Sequence, residues 1–294
     1  MRIDEWIDKN AQSLCGKTVA ITGTTGGLGR EICAYLASLG ADLILLDRND
    51  VTSEAHKDCL LERYPDICVN RIHVDLENME SVRSAIAELK IRNIDIFIHN
   101  AGAYSIPRHA CDTGFDNVFQ INFVSPYYMI RELLPQLRTR CGKVVAVGSI
   151  AHNYSKIDAN DVDFRTRKAA SKVYGNAKRY LMFSLTELLK SEKDVRFSIV
   201  HPGITLTNIT AHYPKWIYAI IKYPMKVIFM SPRKAALCIV KGLFDSTAEC
   251  EWIGPRILNV WGIPKKKKLL TCGERERKYI FDTAQDIYAR LNHI

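Results

Sequence analysis

From Lys17 onward the hydrophobic pattern alternates between two periods. Short β-rich runs stand at 17–22, 42–46, 67–74, 94–98, 143–147 and 195–200. Most are apolar throughout rather than alternating, as expected of strands buried on both faces. Between them lie stretches with helical spacing. In 28–39, Ile32, Leu36 and Leu39 share one face, and Gly40 stops the run. Further helices are expected at 79–90, around 115–137, at 171–190 and at 274–291.

Strand alternating with helix at this pitch implies βαβ units, a parallel sheet and right-handed crossovers. The expected fold is therefore α/β: a single doubly wound, Rossmann-type sheet with helices on both faces. No linker rich in Pro, Gly or Ser divides the chain. The expected organisation is an N-terminal extension over 1–15, a catalytic domain over 16–262, and a basic segment with a C-terminal helix over 263–294.

Composition narrows this only a little. The chain has 294 residues, 47% hydrophobic and 25% charged, which excludes wholesale disorder, collagen and coiled coil. The net charge of +9 permits anionic cofactors, membranes or nucleic acid without selecting among them. The nine cysteines form no CxxC pair. The first ten residues lack the apolar core of a signal peptide. Reduced thiols in a cytoplasmic protein are expected.

The first strand runs into Thr22-Gly23-Thr24-Thr25-Gly26-Gly27-Leu28-Gly29, and a helix follows. Glycines let the backbone turn tightly and approach a pyrophosphate, and the helix N-terminus supplies free N–H groups. A glycine string alone is weak evidence; its position after a strand and before a helix raises it. About 20 residues on stands Asp47-Arg48, where a Rossmann fold reads the adenosine ribose. Asp47 would accept from the ribose hydroxyls and favour NAD. Arg48 could pair with the 2′-phosphate of NADP; its alternative is an ordinary solvated charge.

With these residues placed, the chain resembles the short-chain dehydrogenase/reductase family from Gly16 to about Gly262. The glycine motif is Thr22 to Gly29. The adenine-contacting Asp matches Asp75, followed by Leu76. The family's NNAG appears as His99-Asn100-Ala101-Gly102, with His for the first Asn. The catalytic Asn and Ser match Asn122 and Ser149. YxxxK is Tyr174-Gly175-Asn176-Ala177-Lys178, and PGxxxT is Pro202-Gly203-Ile204-Thr205-Leu206-Thr207. The resemblance implies cofactor contacts at Gly23, Thr25, Gly27, Leu28, Gly29, Asp47, Arg48, Asp75, Leu76, Asn100, Ala101, Gly102, Tyr174, Lys178, Pro202, Gly203, Ile204 and Thr207. The separation of Ser149 from Tyr174 exceeds the family's usual spacing. The extra residues, among them Ala151-His152 and Asp161-Val162-Asp163-Phe164, resemble the retinol-dehydrogenase-like branch, whose members act on lipophilic carbonyls.

Tyr174 and Lys178 are i and i+4 and share a helix face. A free phenol titrates near ~10, too high for acid–base work at neutral pH, and a neighbouring ammonium lowers it. In the implied mechanism Tyr174 moves the proton, Ser149 fixes the substrate oxygen, and Lys178 lowers the Tyr174 pKa and holds the nicotinamide ribose. Asn122 positions a water, and Thr207 with the Ile204 backbone holds the carboxamide. Separately, each of these residues would read as packing, a cap or a solvated charge. His152 near Ser149 suggests a hydrolase, but no G-x-S-x-G elbow surrounds Ser149. No metal site is expected, since no His/Cys/Asp cluster has ligand spacing.

The family's substrate lid falls at 205–231, where 213–230 is rich in Tyr, Trp, Ile and Met but carries three lysines and two prolines. It reads as the wall of an apolar pocket, with shallow membrane contact second and a dimer interface third. Lys265 to Lys268 read as a solvated run, and nucleic-acid binding is not expected. In the tail, Ile280, Phe281, Ala284, Ile287, Tyr288 and Leu291 form a stripe that must cover its own domain or a partner. The expected function is NAD(P)-dependent interconversion of an alcohol and a carbonyl on a lipophilic substrate, by a homo-oligomer. A non-catalytic nucleotide-sensing Rossmann protein is the alternative.

Overall fold

The computed structural model describes residues 2–204, 230–247 and 250–293. A short helix, α1 (Ile3–Asn10), precedes β1 (Thr18–Thr22), α2 (Gly27–Ser38), β2 (Asp42–Asp47), α3 (Asp50–Arg63), β3 (Val69–His73), α4 (Met79–Lys90) and β4 (Ile96–His99). Next come α5 (Asn117–Phe119), a π-helical turn (Gln120–Val124), α6 (Ser125–Thr139) and β5 (Lys143–Val147). A 3-10 turn (Ile150–Tyr154), α7 (Ala170–Lys190), β6 (Arg196–Val200), α8 (Pro232–Phe244), β7 (Glu251–Ile257), β8 (Trp261–Lys268) and α9 (Glu274–Asn292) complete it. The expected lid at 205–231 and Thr207 lie outside the described residues, apart from Met230 and Ser231.

The strands form one sheet in the order β3-β2-β1-β4-β5-β6-β7-β8. All neighbours are parallel except β7 and β8. The doubly wound parallel sheet is thus present. Strand order reverses between β1 and β4, and ligands of such sheets bind at the carboxyl ends of the strands there.

Three expectations change. The stretch around 115–137 is not one regular helix: the π turn at Gln120–Val124 interrupts it. Lys265 to Lys268, exposed apart from half-buried Lys267, are also part of a strand: they form half of β8, paired with β7 from Glu251↔Lys268 to Ile257↔Trp261. β8 also crosses the boundary expected at Gly262, so the basic segment is continuous with the sheet.

The sheet is covered on both faces. One layer packs Phe97, Phe119, Phe123, Tyr180 and Leu181 with the Ile280, Ala284, Ile287 and Leu291 stripe of α9. The C-terminal stripe therefore covers its own domain, and truncating one such leucine to alanine costs about 2–5 kcal/mol. The other layer packs Ile32, Leu36, Ile239 and Val240, with Trp6 of α1 docked on it. No helix among the described residues is long and apolar enough to cross a membrane.

Candidate active site

The ends of β1 and β4 are tied through Thr22. Its hydroxyl oxygen accepts from the Asn100 and Ala101 N–H groups at 3.1 and 3.0 Å, so its own proton goes to His99 Nδ1 at 3.2 Å. Burial, reinforced by the Lys178 charge, holds His99 well below the usual histidine range. Asn100 Nδ2 donates to the carbonyls of Thr22 and Gly23 at 3.1 and 2.9 Å. His99 therefore serves this joint in place of the family's first Asn.

The cleft above suits a dinucleotide. Gly23 has φ +71°, and a Cβ there would sit 2.9 Å from Ala101 Cα. α2 begins after Gly26 with no side-chain cap, leaving the N–H groups around Gly27, Leu28 and Gly29 free to donate to an anion. A Cβ on Gly102 would lie 2.7 Å from Asn122 Oδ1 and 3.5 Å from Lys178 Nζ, so that gap is kept open next to two catalytic candidates. At the adenosine end, Asp75 Oδ1 accepts from Glu77 N at 3.0 Å while Asp75 N donates to Ser81 Oγ at 2.9 Å, fixing the turn with buried Leu76.

Asp47 departs from the expected picture. Its carboxylate is buried and accepts from Thr24 N at 2.7 Å, Thr25 N at 3.3 Å, Ser53 Oγ at 2.9 Å and the Thr24 hydroxyl. Four donors fill a carboxylate's ordinary accepting capacity. Asp47 thus braces the glycine loop, and a ribose hydroxyl would have to displace one of these donors. Arg48 is 66% exposed, with only a long 3.4 Å contact to Glu77 Oε1.

Asn122, Ser149, Tyr174 and Lys178 converge at the ends of β4 and β5. The π turn aims Asn122 inward: Nδ2 donates to the carbonyls of Ala103 and Val118, both at 2.8 Å, and Oδ1 accepts from Ala103 N at 3.3 Å. Such turns recur at functional sites. Ser149 caps the 3-10 turn, its Oγ accepting from Ala151 N at 3.2 Å, and its side chain acts on the Tyr174 phenol to lower its pKa. Lys178 Nζ donates to Val147 O at 3.0 Å and lies 5.7 Å from the centre of the Tyr174 ring. The expected lowering of the Tyr174 pKa is not seen. Burial pushes the phenol up to about 12, opposed by the Ser149 side chain and aided by Tyr104. The same burial pulls Lys178 down to about 7, which weakens the very charge that was to stabilise a phenolate.

Pro202 and Gly203 are buried beside β7, and Ile204 O accepts from Met230 N at 3.1 Å. The inserted residues pack around the tyrosine: Phe164 joins Val118 and Val173, with Ile106 and Tyr174 against them. Tyr104 meets Tyr174 edge-on at 5.4 Å.

One group escaped sequence reasoning. His152, fully buried, donates from Nδ1 to Ser149 O at 2.6 Å, so its Nε2 accepts from the Thr271 hydroxyl at 2.7 Å. Arg179, adjacent to Lys178 but on another face, donates to His152 O at 3.2 Å, Thr271 O at 2.7 Å and both Glu276 oxygens at 2.7 Å. The segment leading into α9 therefore grips the back of the serine loop. The one sequence signal was His152 itself, three residues from Ser149.

The fold also assembles Glu77, His109 and Cys111, whose ligand atoms lie within 4.8 Å of one another, a grouping that spacing did not suggest. Hydrogen bonding accounts for it. Asn117 Nδ2 donates to His109 Nδ1 at 3.2 Å, so Nε2 carries the proton and faces Glu77 Oε2 at 3.0 Å. A protonated Nε2 is no ligand. Burial also pushes the Cys111 thiol up to about 11.

A family model described as short chain dehydrogenase matches residues 17–217. Short-chain dehydrogenase TIC 32 A, chloroplastic, of Brassica napus is 30% identical over 213 residues, 66% of either chain. Human retinol dehydrogenase 13 is 29% identical over 203 residues, 67% of this chain and 61% of its own. This chain thus spans just under two thirds of these relatives' length. The crystal structure of an uncharacterised protein from Mycobacterium paratuberculosis superposes with a TM-score of 0.74 at 23% identity, covering 96% of each chain.

Proposed function

Because this chain belongs to the short-chain dehydrogenase family, we propose that it is an NAD(P)-dependent oxidoreductase interconverting an alcohol and a ketone or aldehyde. The observation that carries the reading is Tyr174, with Ser149 acting on its phenol and Lys178 Nζ 5.7 Å from its ring, beside the gap that Gly102 keeps open next to Asn122 and Lys178. When bound, the nicotinamide supplies the hydride chemistry at the carbinol carbon. Gly23, Thr25, Gly27, Leu28, Gly29, Asp75, Leu76, Asn100, Ala101 and Gly102 hold the nucleotide, with Pro202, Gly203, Ile204 and Thr207 at its nicotinamide end.

In alcohol oxidation Tyr174 Oη takes the hydroxyl proton; in carbonyl reduction it returns it. Ser149 Oγ donates to the substrate oxygen and fixes its distance from Tyr174. The Lys178 ammonium, when charged, stabilises the phenolate that burial alone opposes. Asn122 Oδ1, beside Gly102 and facing the same gap as Lys178 Nζ, holds the water that passes the proton onward.

The substrate is lipophilic. Phe164, Val118, Val173, Ile106 and Tyr104 give the tyrosine an apolar rim, and one relative is named for retinol. Either cofactor enters: Asp47 braces the loop for both, and Arg48 recruits the 2′-phosphate of NADP. The reading includes a homo-oligomer in the cytoplasm with peripheral membrane contact. A screen of steroid, retinoid and aliphatic alcohols with NAD and NADP, read at the reduced-cofactor absorbance, tests it. Turnover that rises with chain length or ring count is expected. Cofactor binding without turnover of any alcohol or carbonyl would instead identify a nucleotide sensor.

A further inference from the structure

β8 is the outer edge of the sheet, and with β7 it forms a hairpin of unusual chemistry. Residues 254–268 carry Arg256 and Lys265 to Lys268 and no acidic side chain; the hairpin's carboxylate, Glu251, stands at its base across from Lys268. Lys267 is used internally, donating to Pro255 O at 2.6 Å and Asn259 Oδ1 at 2.7 Å. Arg256, Lys265, Lys266 and Lys268 are exposed. The tip is apolar and open to solvent: Ile257 is 55% exposed, Leu258 82%, Trp261 41% and Ile263 36%.

The turn itself is informative. Val260 N donates to Ile257 O at 2.9 Å, and the two central residues, Leu258 and Asn259, have φ of +48° and +60°. A type I′ turn of this kind favours Asn or Gly at both positions. Leucine at the first is disfavoured by its backbone and by its exposure. Turn stability therefore does not explain its presence.

Lysines on an edge strand hinder strand-to-strand aggregation, which accounts for the charges but not for the apolar tip. A second copy docking here about a two-fold axis would set the same cations against themselves. Aliphatic side chains at the tip have nothing to read on a nucleic acid. An anionic bilayer complements both features, taking the apolar tip below the headgroups and the cations at the phosphates.

We propose that the β7–β8 hairpin is a membrane-docking element, in which Ile257, Leu258 and Trp261 enter an anionic lipid surface and Arg256, Lys265, Lys266 and Lys268 contact its headgroups. His201 N donates to Ile253 O at 2.7 Å, and a Cβ on Gly203 would lie 2.9 Å from Val260 O, so the hairpin packs directly on the stretch Pro202 to Ile204. Docking turns that end of the cleft toward the source of a lipophilic substrate. This last consequence rests on the proposed function; the docking does not.

The test is co-sedimentation of the full chain with phosphatidylcholine vesicles, alone or mixed with phosphatidylserine. Wild type sediments with the mixed vesicles, is released by salt, and stays in solution with phosphatidylcholine alone. The pair Lys265→Glu and Lys266→Glu lowers partitioning at least about thirtyfold. Leu258→Asn, which suits the turn and keeps the fold, lowers it about fivefold or more. Both variants keep wild-type turnover of a soluble alcohol, so failure of docking and failure of the enzymatic reading are separable. Absence of sedimentation, or equal sedimentation of wild type and both variants, overturns the proposal. So does a wild-type dimer that Leu258→Asn dissociates, or a lysine-dependent affinity for duplex DNA without one for vesicles.

Discussion

His152 Nε2 accepts from the Thr271 hydroxyl across 2.7 Å, because the Ser149 carbonyl, which can only accept, takes the proton on Nδ1. The loop that carries Ser149 is thereby held from a segment 119 residues distant from the histidine. An imidazole with a single available tautomer cannot rotate without losing both bonds, so the serine loop inherits its rigidity.

Removing the hydroxyl should loosen that loop without touching the cofactor. Thr271→Val is expected to lower kcat about tenfold, as expected for a misplaced substrate-positioning group, while the cofactor dissociation constant stays within about twofold. Thr271→Ser keeps the donor and should restore most of the loss. Equal effects of valine and serine in steady-state kinetics would reduce Thr271 to a packing residue.

Cofactor choice separates two roles at the end of β2. Asp47→Asn leaves one side of the brace facing Thr24 and Thr25 with an amide, so affinity for NAD and NADP should fall together. Arg48→Ala should lower kcat/KM for NADP about tenfold or more and leave NAD nearly unchanged, since a charged pair to phosphate contributes about 1.5–3 kcal/mol. A loss confined to NAD in Asp47→Asn would return Asp47 to reading the ribose.

Acid stability follows from the buried histidines. Burial pulls His56 and His152 down to about 4 and His201 to about 3, and holds His99 well below its ordinary value. The unfolded chain takes up these protons near ~6.5 while the folded chain refuses them. Stability is therefore full above that pH and falls as pH drops toward 4. Each histidine contributes a slope of about 1.4 kcal/mol per pH unit in this window. His201→Gln, which removes one such group stacked on Trp252, should flatten the dependence by that amount in denaturant titrations at several pH values.

The sheet was legible where strands are buried on both faces. β1, β2, β4 and β5 carry largely apolar runs, whereas β3 at the far edge interposes Asn70, Arg71 and His73, and the helix at Met79–Lys90 has both its cap and its stripe. The hairpin was hidden because Pro255 and Pro264 face each other across it and four lysines fill its outer half, each feature arguing against a strand. The π turn was hidden because one extra residue per turn leaves the apolar composition of the stretch unchanged. Motif order picked out the four residues that converge at the ends of β4 and β5. It could not show that the Asp47 carboxylate already has four donors, nor that burial outweighs Lys178 at Tyr174, because both depend on what surrounds a side chain rather than on what precedes it.

The central claim is that Tyr174 carries the proton, and the most direct test is Tyr174→Phe under single-turnover conditions with saturating cofactor. Losing only the phenolic oxygen, the variant should bind reduced cofactor with near wild-type affinity, read by its fluorescence, while the hydride-transfer rate falls by at least about a hundredfold. A variant that transfers hydride at close to the wild-type rate would contradict the account.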